Sequence, residues 1–108
     1  MASLSGHLRL DRRSLALHRA IAAKLRADPS LLNIARDNLD RWSQQQGRSQ
    51  PYWDAWRRFL DGPFEDLLRL LEEDGEQMTD MRQASPFAGV LTPRERWAIY
   101  DGFSVDRP

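Results

Sequence analysis

The prolines divide this chain into short helices. Of its six prolines, four stand where a helical pattern begins, at Pro29, Pro51, Pro63 and Pro93. Proline has no backbone N–H and a fixed φ angle, so it suits the first turn of a helix and interrupts a helix anywhere later. No stretch alternates apolar and polar residues as a half-buried strand would. For 108 residues, this pattern predicts an all-α fold, a single compact domain of five or six short helices.

The predicted helices follow one another with short breaks. They cover about 12–27, 29–46, 51–60, 64–74, 76–82 and 93–101. We expect residues 1–9 to be a flexible N-terminus, residues 10–103 to be the helical domain and residues 104–108 to be a flexible tail. Asp11 is the expected cap of the first helix. One face of that helix carries Leu10, Leu17, Ala20, Ile21 and Leu25, whereas Leu15 lies off this face and His18 is expected on a polar or boundary side.

An irregular apolar run precedes the last helix. Residues 85–91 read SPFAGVL, which is too short and too interrupted by Pro and Gly to be helical. Thr92 then provides an N-cap, and Glu95 stands three residues later, where its side chain can bond the cap's own amide. Apolar side chains on an irregular segment are costly to leave in water. The run must therefore be buried, either against the chain itself or against a partner.

Charge is unevenly distributed, although the formal net charge is zero. Residues 1–26 carry six basic residues and one acidic residue, whereas residues 61–85 carry eight acidic and two basic residues. One interpretation is two surfaces with different partners. The other is that the two blocks neutralise each other within the fold. A net charge of zero argues against a protein that coats nucleic acid through bulk charge.

The sequence contains no recognisable catalytic arrangement. Without cysteine there is no disulfide, thiolate nucleophile or cysteine-based metal site. His7 and His18 have no acidic residue at ligand spacing, and no serine lies in a nucleophile motif. Glu72 and Glu73 are adjacent on a helix, so their carboxylates diverge. We expect no enzyme activity, no cofactor and no metal.

No apolar run approaches 18 residues, and the N-terminus has no signal-peptide pattern. We therefore expect no membrane partner and a cytoplasmic location. The aromatic residues at helical spacing are expected in the core; they are Trp42, Trp53, Trp56, Phe59 and Phe64. If Trp53 and Trp56 were exposed instead, their face would suit a homodimer, because tryptophan anchors many interfaces.

Three stretches carry a resemblance to a known class of protein. They are RRSLALHRA at 12–20, the Trp53-x-x-Trp56 pair, and RQASPFAGVL at 82–91 running into ERW at 95–97. The pattern resembles small uncharacterised bacterial proteins that look like antitoxins of two-gene toxin–antitoxin modules. The resemblance implies a protein that neutralises a partner by binding it. Neither a ribbon-helix-helix nor a clear helix-turn-helix pattern accompanies it, so it implies partner binding more than repression of its own operon.

The leading functional prediction is a non-enzymatic, antitoxin-like protein that binds a partner protein, such as a cognate toxin. Acidic residues, the 85–91 run and the start of the last helix are expected to form the contact. The predicted partner-binding residues are Glu72, Glu73, Asp74, Phe87, Val90, Leu91, Arg94, Arg96 and Trp97.

The alternative is a small DNA-binding regulator that uses the basic N-terminal helix. Its predicted contacts with nucleic acid are Arg9, Arg12, Arg13 and Arg19. The tight junction at Asp28-Pro29 permits a helix-turn-helix, but the second helix is as acidic as it is basic over residues 36–41. Such a helix suits the major groove poorly.

Overall fold

The structure, a computed structural model, describes residues 2–45 and 47–103, with side chains from residue 11 onward except at 76 and 77. The all-α prediction is confirmed for this part of the chain, which contains helices and no strand. The elements are α1 (Ala2–Ala27), a 3-10 turn (Pro29–Leu31), α2 (Leu32–Ser43), α3 (Gln50–Asp61), α4 (Phe64–Glu72), α5 (Glu76–Gln83) and α6 (Pro93–Gly102). The predicted flexible tail at 104–108 lies outside the described residues.

The first helix is longer than predicted, because it begins at Ala2 and not near Arg12. Residues 2–11 contain no proline to interrupt it. Asp11 does not act as its cap. The Asp11 carboxylate instead accepts hydrogen bonds from Arg82 and Thr79 on α5, which lie far away in the sequence.

The core forms around α1, which contacts the 3-10 turn and helices α4, α5 and α6. Fourteen buried residues form one continuous cluster, which includes Leu25, Leu39, Trp56 and Leu68. Trp56 is fully buried, and its indole N–H donates to the carbonyl oxygen of Met81 at 2.9 Å. The expected core role is thus confirmed for Trp56. Trp42, Trp53 and Phe64 are only partly buried against the cluster, and Phe59 is exposed.

Two residues of α1 are more buried than their sequence positions suggested. Leu15 is only 2% exposed, although it lies off the predicted apolar face, and His18 is 5% exposed, although a polar or boundary position was expected. Both predictions are wrong for the same reason. A helix surrounded by several other elements buries more than one stripe of its surface, whereas the sequence pattern assumes a single buried face.

The segment at 84–92 crosses the core as an irregular strap. Its Phe87 side chain packs edge-to-face against Trp56, with ring centroids 5.4 Å apart. The side-chain amide of the buried Asn38 donates to the carbonyl oxygens of Pro86 at 2.8 Å and Ala88 at 2.9 Å. Gly89 has a φ angle of 97°, a conformation that favours glycine. These contacts hold a segment without regular secondary structure against α2 and α3.

Candidate functional site

The two charge blocks identified in the sequence face each other across α1 and α4. Arg26 of α1 pairs with Glu65 at 3.4 Å and with Glu72 at 3.2 Å, and Arg12 pairs with Asp74 at 3.4 Å. All these side chains are largely exposed, so each pair contributes little to stability. Their arrangement nevertheless favours the interpretation in which the blocks neutralise each other within the fold.

The acidic part of the predicted contact is therefore largely occupied within the chain. Glu72 and Asp74 both have basic partners on α1, and the backbone carbonyl of Glu72 also accepts from Arg19 at 3.3 Å. Glu73 is exposed, and its backbone carbonyl accepts from Arg82 at 3.2 Å. A partner that binds these acids must compete with the chain's own arginines.

The apolar part of the predicted contact is inside the molecule. Phe87, Val90 and Leu91 belong to the core cluster, so the structure corrects their assignment to an exposed partner surface. Of the two alternatives left by the sequence, burial against the chain itself is the one observed. The sequence could not decide between them, because the side chains that cover the strap come from distant elements.

The start of α6 is fixed to α1 by one carboxylate. Glu95 and Thr92 form the capping box that the sequence predicted, with Glu95 Oε1 accepting from the backbone N–H of Thr92 at 2.7 Å. The same oxygen lies 2.6 Å from Nζ of Lys24. The hydrogen bond from Lys24, followed by that from the Thr92 backbone, lowers the pKa of Glu95 from 4.5 to about 2. α6 therefore has a defined orientation on α1.

The outer surface of α6 carries the most exposed large apolar side chain of the described residues. Trp97 is 64% exposed, and its ring meets the edge of Tyr100 at a centroid distance of 5.6 Å. The Cζ atom of Arg13 lies 4.6 Å from the centre of the Tyr100 ring, within range of a cation–π interaction. Arg94 and Arg96 are exposed on the same helix. We call Arg94, Arg96 and Trp97 the α6 face.

All three residues of the α6 face were predicted to bind a partner, and all three are exposed. Tyr100 and Arg13, which support this surface, are not among the partner-binding residues that the sequence predicted. The spacing of three residues between Trp97 and Tyr100 was a usable signal, since such residues are neighbours on a helix. The residues around Trp97 give no indication of Arg13, because Arg13 belongs to α1 and is far from Trp97 in the sequence.

The arginines of the DNA-binding alternative are engaged within the chain. Arg12 pairs with Asp74, Arg13 lies over Tyr100, and Arg19 donates to the carbonyl of Glu72. The Arg9 side chain lies outside the described residues. Although Arg12 and Arg19 are exposed, the acids beside them reduce the attraction of this surface for phosphate.

A buried polar group lies behind the strap. His18 Nδ1 is 2.7 Å from the carbonyl oxygen of Ser14, and its ring meets the edge of Phe87 at 6.4 Å. Burial lowers the pKa of His18, the Ser14 bond opposes this shift, and the positive charge of Arg82 adds to the lowering. His18 is therefore favoured in its neutral form, with Nδ1–H donating to Ser14.

Comparison with known proteins identifies no relative of this chain, because no family model, curated protein or solved structure matches it. Within the described ranges, no group of three or more His, Cys, Asp or Glu residues is placed to hold a metal ion. None of the helices described there has both the length and the apolar composition needed to cross a bilayer.

Proposed function

We propose that this protein is a non-enzymatic binding module that covers a partner protein with its α6 face, as an antitoxin covers its toxin. The observation that carries the proposal is the exposure of Trp97 on a helix whose position is fixed. An apolar ring that is already ordered loses little conformational freedom when a partner buries it. Tryptophan and arginine are also the residue types most enriched among interface hot spots.

The charge around Trp97 indicates the kind of surface that the partner presents. Arg94 and Arg96 are exposed and both precede Trp97 on α6, Arg94 by about one turn, and neither forms an ion pair within the described part of the chain. An apolar pocket bordered by carboxylates would complement this surface. The partner is accordingly a protein with an acidic rim around an apolar cavity.

The test is capture of partners from lysate of the native host with tagged wild-type protein, Trp97→Ala and Tyr52→Ala. Tyr52 is a matched control, because it is an aromatic residue that is 36% exposed and belongs to α3 and not to α6. Nuclease and a wash at about 300 mM salt remove contacts that depend only on screened charge. We expect wild-type protein and Tyr52→Ala to retain the same stoichiometric partner and Trp97→Ala to lose it.

Two results would contradict the proposal. One is capture that Trp97→Ala leaves unchanged, which would place the contact elsewhere. The other is recovery of nucleic acid alone in samples without nuclease, which would favour the DNA-binding alternative. In that case the affinity should fall steeply with salt, because phosphate contacts release counterions.

A further inference from the structure

We infer that the cleft between Trp42 and Trp53 is a second binding site, which takes a proline-rich segment in the polyproline II conformation. The cleft has a volume of about 240 Å³. It is lined by Trp42, Gln45, Ser49, Trp53, Gln83, Ala84 and Ser85. No residue of the α6 face lines it, so this inference goes beyond the proposed function and does not depend on it.

Two tryptophans from different helices form the apolar wall of the cleft. Trp42 is near the end of α2 and Trp53 is in the first turn of α3, and their ring centroids are 5.7 Å apart with a tilt of 38°. Both side chains pack against the core but remain partly exposed. One side of each indole therefore packs against the core, and another side is open to solvent. Aromatic grooves that bind polyproline II segments have the same arrangement.

The polar groups of the cleft can donate hydrogen bonds. Each indole has an N–H that only donates, and the glutamine amides and serine hydroxyls can also donate. Among the described residues, no group accepts a hydrogen bond from the indoles of Trp42 and Trp53 or from the amides of Gln45 and Gln83, whereas Trp56 donates to Met81. The Ser85 hydroxyl oxygen accepts from the backbone N–H of Phe87 at 3.3 Å, which leaves its own proton available.

A proline-rich segment matches these donors. Proline has a backbone carbonyl but no N–H, so a run of prolines presents only hydrogen-bond acceptors to a protein surface. In the polyproline II conformation these carbonyls have no internal partners, and the pyrrolidine rings provide apolar surface for the indoles. The segment is also largely preorganised, which lowers the entropy lost on binding.

The described residues that line the cleft carry no charge, which reduces the number of ligand classes that fit it. Of all residues, 30% are charged, yet each of the seven described residues that line the cleft is neutral. A nucleic acid or an acidic peptide would find no cation there. A neutral oligosaccharide also stacks on tryptophan, and the side-chain carbonyls of Gln45 and Gln83 could accept from its hydroxyls. The two indole N–H groups, however, only donate, and the carbonyls of a proline run only accept. The donor set therefore favours the peptide.

The experiment is a titration of the full chain with acetylated decaproline amide, followed by NMR of the tryptophan indole N–H signals. The chain has four tryptophans, so the signals form a small set that single Trp→Phe variants assign. We expect saturable shifts at Trp42 and Trp53 and little change at Trp97. Because none of the described residues that line the cleft is charged, the dissociation constant should change by less than about twofold between about 50 and 500 mM salt.

Glutamine variants test the same site without altering the core. Gln45→Ala and Gln83→Ala each remove one exposed donor, which should weaken decaproline binding about three- to tenfold. Gln44→Ala is the matched control, because Gln44 is exposed beside Gln45 but does not line the cleft. It should leave the affinity unchanged.

Several results would overturn the inference. The first is no saturable shift at Trp42 and Trp53 with decaproline at about 5 mM, the range of very weak binding. The second is equal binding of a glycine–serine peptide of the same length. The third is tighter binding of cellotriose than of decaproline, which would assign the cleft to a sugar. The fourth is equal affinity in the Gln45, Gln83 and Gln44 variants. None of these results tests Trp97, so the failure of this inference would be distinguishable from the failure of the proposed function.

Discussion

Nζ of Lys24 lies 2.6 Å from Oε1 of Glu95, the oxygen that also accepts the backbone N–H of Thr92. One carboxylate thus closes the capping box of α6 and joins that helix to α1. The link matters for function because all three residues of the α6 face lie within one turn of Glu95 on the same helix. If the carboxylate is lost, the helix loses part of its cap and its ionic contact together.

Protonation of Glu95 should loosen α6. Because the folded state lowers the pKa of this carboxyl from 4.5 to about 2, its contribution to stability is complete above about pH 4.5 and is lost as the pH falls towards 2. Glu95→Gln should remove that part of the pH dependence and speed hydrogen exchange of the α6 amides at pH 7. Asp80→Asn is the control, since Asp80 is an exposed carboxylate on α5. Equal exchange rates in Glu95→Gln and wild-type protein would contradict this role.

Asn38 should be the most important polar residue for the strap. Asn38→Ala leaves the carbonyl oxygens of Pro86 and Ala88 without their donor, which should lower the free energy of unfolding by about 2–3 kcal/mol. Asn33→Ala, an exposed position on the same helix, should change it by less than about 0.5 kcal/mol. Urea unfolding measures both values. Similar stabilities of the two variants would show that the strap is held by its apolar contacts alone.

Helix caps and helix boundaries could be predicted from the sequence, because they depend on neighbouring residues. The capping box at Thr92 and Glu95 depends on residues within a few positions of each other, and it is present. Four of the helix starts were placed within about two residues, the usual uncertainty of a helix boundary.

The sequence could not predict what distant residues decide. Leu15 and His18 are buried because several elements surround α1, and Phe87 is in the core because Trp56 packs against it while Asn38, from another helix, holds the carbonyls of Pro86 and Ala88. The same distinction between local and distant determinants applies to the α6 face. Trp97 and its arginines could be identified from their own helix, but their exposure and the support from Arg13 required the fold.

Arg82 and Asp11 form a buried ion pair, and the loss of either residue should lower the stability of the protein by a different amount. Arg82 is 4% exposed, whereas the Asp11 side chain is one-third exposed, and they meet at 2.7 Å. Asp11→Ala leaves a buried guanidinium without a counterion and should lower the free energy of unfolding by about 3 kcal/mol. Arg82→Met leaves a carboxylate that water can reach and should cost about 1–2 kcal/mol.

The control for the ion pair is Arg12→Ala, which removes an exposed pair with Asp74 and should cost less than about 1 kcal/mol. Chemical unfolding at pH 7 compares all three variants. If Arg82→Met is the least stable of them, the desolvation argument is wrong.

His18 should make the protein less stable in mild acid. Since burial lowers the pKa of His18 in the folded state, the unfolded chain takes up a proton first as the pH falls below 6.5. Stability should therefore be highest above about pH 7 and decrease towards about pH 5, before Glu95 begins to titrate. His18→Leu should abolish this decrease. A decrease that survives His18→Leu would assign the effect to another group.

The most direct test of the central claim is the affinity of the purified protein for its captured partner, measured by calorimetry. If the α6 face forms the contact, Trp97→Ala should raise the dissociation constant by about 30-fold or more, the size expected for a hot-spot tryptophan. Tyr52→Ala should change it by less than about threefold. Circular dichroism must show equal helix content in both variants. An affinity for Trp97→Ala within about threefold of the wild-type value would contradict the claim that this protein binds through α6.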